Sequence, residues 1–115
     1  MKLEDRDLAY LWDMRGFARE AFEFVRSVAF EELEKDSMRK LALERSLELL
    51  GEAAKRVSSN YRTAHPQIAW PSLIGQRNVL AHEYGKINHR RLYDSARRNI
   101  PPLLEELERI LKDSQ

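Results

Sequence analysis

The stretch "RNVLAHEYG", residues 77–85, places Arg77, Asn78, His82 and Tyr84 close together in a segment that otherwise reads as a buried amphipathic helix. An imidazole exchanges a proton near neutral pH, and a guanidinium holds charge on a phosphate. Together they can cleave RNA without a metal. One group deprotonates the ribose 2′-hydroxyl or protonates the leaving oxygen, while the guanidinium stabilises charge growing on phosphorus. Asn78 and Tyr84 could orient a substrate by hydrogen bonds.

On a helix of about 3.6 residues per turn, Arg77 and Tyr84 lie on nearly one line with Leu73 and Leu80. Asn78 and His82, four apart, stack on an adjacent line. Arg77 and His82 are separated by roughly 140° around the axis. Their tips therefore converge only through the reach of the arginine or across a second molecule. His82 falls in the last turn before Gly85, where free carbonyls favour a cation. Three blander roles fit the same residues: His82 as a capping cation, Tyr84 as a core-edge aromatic, and Arg77 as the ion-pair partner of Glu48 or Glu52.

The elements that must position these groups are helical. From Asp5 to Phe30, Leu8, Leu11, Trp12, Ala18, Ala21, Phe22, Val25 and Val28 recur at three- and four-residue intervals, with Gly16 a candidate bend. "FEELEKDS" reads as a corner, and Asp36 or Ser37 as the next cap. A second helix, Ser37 to Asn60, carries the seam Leu43, Leu47, Leu50, Ala54, Val57 and Tyr61. Met38, Leu41, Ala42, Leu49 and Ala53 form a second row that predicts packing on more than one neighbour. Gly51 within it suits a close backbone approach.

"NYRTAHPQIAWP" reads as a connecting loop, because its prolines forbid a continuous helix. Pro71 suits the first turn of a third helix, and Gly85 a left-handed stop. Asn88 can cap a fourth helix whose apolar phase persists through Pro101 and Pro102, as in a kinked helix. The expected fold is all-α, an antiparallel bundle of four main helices plus a short corner helix, in a single domain over residues 1–115.

The 115 residues contain no Cys, which excludes disulfides, a thiolate nucleophile and a Cys-bearing zinc site. No apolar run approaches a membrane span, and the acidic N-terminus "MKLEDRDLAYLWD" is unlike a signal peptide, so the expected compartment is the cytoplasm. The formal net charge is only +1, yet between Lys55 and Ile100 nine basic residues face the two acids Glu83 and Asp94. Such a local excess suits a phosphate-binding face, though it also fits a solvated helix surface. Lys86, Arg90 and Arg91, just beyond the signature, are the candidate RNA-binding side chains.

"RNVLAHEY" resembles the R-x4-H-x-Y signature of the HEPN superfamily. "RDLAYLWDM", "LERSLELLGEAAKRVS", "IAWPSLIGQRNVLAHEYGKIN" and "IPPLLEELERIL" are similar, in order, to its HepT-like toxin branch. The resemblance implies a HEPN helical bundle, a homodimer whose signature helices meet at a cleft, and metal-independent endoribonuclease cleavage by Arg77 and His82 that leaves cyclic phosphate ends. It implies no cofactor. It also implies a type VII toxin–antitoxin system, in which a minimal nucleotidyltransferase antitoxin transfers AMP to Tyr84 and so blocks the site with bulk and negative charge. Gln76 departs from the Met that often precedes the Arg, and Tyr93 stands for the Trp usual on the last helix. Some HEPN proteins are non-catalytic partners of nucleotidyltransferases, so a helical module that binds a nucleotide or such an enzyme is the alternative.

Overall fold

Leu11, Met14, Ala18 and Ala21 recur at intervals of three and four, and all four are fully buried, so one stripe of the first helix faces the core. In the computed structural model, which describes residues 4–114, that helix is α1 (Asp5–Glu23), with Asp5 and Asp7 in its first turn where the backbone amides favour negative charge. It runs unbroken through the exposed Gly16 and stops at Glu23 rather than Phe30. Carbonyls in the turn that follows find side-chain partners: Arg39 donates to Phe24 O (3.2 Å) and Tyr93 Oη to Val28 O (2.6 Å). Satisfied in this way, the chain need not continue as helix.

The corner is α2 (Phe30–Glu34). Asp36 then accepts from Arg39 N (3.0 Å) and caps α3 (Ser37–Arg56). The seam from Leu43 to Tyr61 is buried as expected, but the helix is not continuous along it. Val57 turns to an extended conformation, and Ser58 opens a separate helix, α4 (Ser59–Ala64), inside the expected loop. Ser58 Oγ accepts from Tyr61 N (3.2 Å). Its own N–H and hydroxyl donate to the buried Asp7 carboxylate at 2.8 and 2.7 Å, which ties the junction to the start of α1.

The remaining elements are α5 (Trp70–His82), a 3-10 turn (Tyr84–Lys86), α6 (His89–Arg98) and α7 (Ile100–Asp113). Asn88 caps α6 by accepting from Arg91 N (3.0 Å). Pro101 and Pro102 occupy the first turn of α7, where no intrahelical N–H is needed, so the helix breaks at Asn99 while Ala96, Ile100, Leu103 and Leu107 stay buried in phase. α3 packs between α1 and α5, and α7 closes on α1. Two expectations of coverage fail: Met38 and Leu41 are 84% and 63% exposed, and Trp12 is 39% exposed. Among the described residues no helix is long and apolar enough to cross a membrane.

Candidate active site

Pro71 in its first turn presets the backbone of α5, and aromatic packing fixes where the helix begins. Trp70 Nε1 donates to His65 O (2.9 Å) and its ring stands edge-on to Tyr61, with centroids 6.3 Å apart. Tyr61 in turn stacks on His65 at 3.9 Å. From that anchor α5 crosses α3 at Gly51. A Cβ there would sit 2.3 Å from Arg77 Cβ and 2.5 Å from Leu73 O, so only glycine admits the crossing.

The close approach sets Arg77 beside the next residue of α3, Glu52. Arg77 Nε lies 2.8 Å from Glu52 Oε2, with the side chain only 18% exposed. The contact is ionic rather than a hydrogen bond, since the Nε–H is not aimed at the oxygen. Of the two carboxylates the sequence offered, Glu48 turns instead to Arg45 (3.4 Å). Glu52 Oε1 lies 3.1 Å from Arg56 Nε. The hydrogen bond from Arg56, reinforced by the Arg77 charge and opposed by partial burial, holds the Glu52 carboxyl below its ordinary pKa.

The other end of the guanidinium decides the geometry. Arg77 Nη1 donates to Asn78 Oδ1 (3.0 Å), which draws the tip from the α3-facing side of α5 toward the line shared by Asn78 and His82. Asn78 and His82 are both exposed. The arginine thus bridges a good part of the roughly 140° that separates it from the histidine, with its stem in the core and its Nη edge at the surface.

The chain matches the family described as "Ribonuclease HepT-like" over residues 14–110. It belongs to the HepT-like ribonuclease family. A protein of Thermococcus cleftensis named as a ribonuclease HepT is 31% identical over 112 residues, covering 97% of this chain and 100% of the relative. Two proteins of Methanocaldococcus jannaschii named as RNases are similar: one is 29% identical over 92% of this chain and 98% of its own length, the other 31% identical over 94% and 90%. No solved structure matches the chain with significance.

Other positions of the HepT-like signature depart from the simple helical picture. α5 ends at His82, with Glu83 as its C-cap, and Tyr84 opens the 3-10 turn, so Tyr84 does not continue the line of Arg77. The Tyr84 side chain lies outside what the structure describes. Gly85 has no positive φ. The left-handed stop is unnecessary because the turn closes through Lys86 N to Glu83 O (2.8 Å). Tyr93, expected in place of a Trp, is buried on α6, where it also accepts from Arg97 Nη1 (2.7 Å).

The three candidate RNA-binding residues do not form one patch. Lys86 pairs with Glu83 (3.1 Å) and, with Arg91, lines a groove of about 1080 Å³ between α5, α6 and the start of α7. Arg90 lies instead over the Phe30 ring, 5.0 Å from its centroid, with Asp94 at 3.5 Å. Arg56 joins the site through Glu52, which spacing alone did not reveal. Its one legible sign was the four-residue interval from Glu52 to Arg56 on α3.

Proposed function

We propose that this HepT-like chain is a metal-independent endoribonuclease toxin acting as a homodimer, with Arg77 and His82 at the cleft between the signature helices. The observation that carries the reading is the Arg77–Asn78 hydrogen bond, which turns a half-buried, Glu52-braced arginine toward the exposed face that bears His82. In the reaction a 2′-hydroxyl loses its proton to one imidazole as its oxygen attacks phosphorus. The bond to O5′ breaks, and that oxygen takes a proton from the imidazole of the other copy. A 2′,3′-cyclic phosphate and a free 5′-hydroxyl result. Arg77 holds the non-bridging oxygens as charge builds, and Asn78 and Tyr84 orient the substrate. A nucleotidyltransferase antitoxin transfers AMP to Tyr84, placing bulk and phosphate charge against the cations.

Incubation of the purified chain with RNA in EDTA tests the chemistry. Wild type is expected to leave cyclic phosphate ends, and His82→Ala to lower the rate about a hundred- to ten-thousand-fold. RNA left intact by wild type, or cut equally by His82→Ala, rejects the reading. For the modification, co-production with an adjacent nucleotidyltransferase should add an AMP-sized mass that Tyr84→Phe abolishes.

A second reading, a non-catalytic module that docks a nucleotidyltransferase, is favoured by the groove beside α5, whose floor includes Val79, Leu80, Leu92 and Leu103. It expects a stable complex with RNA untouched.

A further inference from the structure

One carboxylate, Glu52, holds two guanidinia: Arg77 Nε on Oε2 at 2.8 Å and Arg56 Nε on Oε1 at 3.1 Å. The two arginines therefore stand a carboxylate's width apart, Arg77 with its stem buried and Arg56 57% exposed at the last residue of α3. On α1 the pKa of Tyr10 is lowered, by Arg56 foremost and then by Arg6, against the opposing effect of desolvation. Of the two acids flanking Arg6, Asp7 is turned inward to Ser58 and buried, whereas Asp5 is exposed. Arg56 and Arg77 thus share a single carboxylate, which leaves an excess of about one positive charge at this edge of the bundle.

We infer that Arg56 holds the backbone phosphate of single-stranded RNA that neighbours the phosphate held by Arg77. This rests on the ribonuclease reading above and extends its substrate site from one phosphate to a track. Glu52 has a corresponding part: it keeps two like charges side by side without RNA, where successive phosphates can meet them. A track of this kind is indifferent to base and sensitive to salt, because each phosphate contact releases counterions.

The experiment measures binding of a fluorescent oligouridine to the full-length chain as a function of salt, in a His82→Ala background that spares the RNA, with wild-type cleavage measured in parallel. Arg56→Ala and Arg56→Gln are each expected to weaken binding roughly tenfold at moderate salt and to lower the slope of log affinity against log salt by about 0.7. Arg56→Lys is expected to restore the slope. Arg19→Ala removes one exposed charge about 20 Å along α1 from Arg6 and is expected to leave it unchanged. Thermal melts confirm folding, and Arg56→Gln retains the aliphatic stem should the alanine variant fail to fold. A slope as steep in Arg56→Gln as in Arg19→Ala, with wild type cleaving RNA, overturns the role of Arg56 and leaves the ribonuclease reading standing. Wild type that neither binds nor cleaves RNA overturns both.

Discussion

Arg77 is the residue on which structural and chemical roles meet. Its stem lies against Gly51, its Nε beside Glu52, and its Nη1 on Asn78. Lysine can supply a charge at this place but not a planar fork that answers to both Glu52 and Asn78, so Arg77→Lys is expected to lose nearly as much activity as Arg77→Ala, about a hundredfold, while keeping much of the fold. Paired rate and melting measurements separate the two effects, and near-native cleavage by the lysine variant would reduce Arg77 to a point charge. Glu52 adds a pH dependence. Its carboxyl is held below the ordinary value of 4.5, chiefly by Arg56 and then by Arg77. The unfolded chain therefore takes up the proton first as pH falls. The stability Glu52 contributes is complete above about pH 4.5 and is lost as pH drops through its folded-state value. Denaturant titrations of wild type and Glu52→Gln should converge on acidification, and a constant gap between them would contradict the sign.

At the scale of elements, the α3–α5 crossing governs the site. Gly51→Ala would force Arg77 Cβ and the Leu73 carbonyl aside, costing about 1–3 kcal/mol by overpacking. It would also shift α5 against Glu52, so kcat should fall beyond what lost folding explains. Stability equal to wild type would show that the helices slide apart freely. Much of this arrangement is legible in the chain itself. The stripe through Leu43, Leu47 and Leu50, the caps at Asp36 and Asn88, and Pro71 in a first turn all depend on neighbours within about one or two turns, where residue spacing carries the information. What the spacing hid depends on partners far away in sequence. The seam stays in phase through Val57 and Tyr61, so the break there is visible only through Ser58, whose N–H is claimed by Asp7 at a separation of 51 residues. Gly85 suggested a left-handed stop, but the helix had already ended at His82 by another route. Glu52 and Arg77 were anticipated as partners, whereas the reach of Glu52 to Arg56 gained its meaning only once α5 lay across α3.

For the whole molecule, the surface that bears on assembly is the outer face of α5. Gly75 and His82 are seven residues apart and so lie within about 20° of one another around the axis. Both are exposed, and a Cβ at Gly75 would meet nothing within 4 Å in the single chain. Within one chain Gly75→Gln should thus be harmless, or stabilising by roughly 0.5–1 kcal/mol through reduced backbone freedom in the unfolded state. In the proposed dimer the same position faces the partner copy across a two-fold axis, where one long side chain enters the interface twice. Gly75→Gln is accordingly expected to shift the sedimenting species from dimer toward monomer and to depress RNA cleavage, with Arg77, Asn78 and His82 unaltered and the melting of the isolated chain at least as high as before. A variant that stays dimeric and cleaves RNA at the wild-type rate would mean that the two signature helices do not meet along this face. The histidine and arginine would then have to complete the reaction within a single chain, helped only by the bend that Asn78 imposes on Arg77.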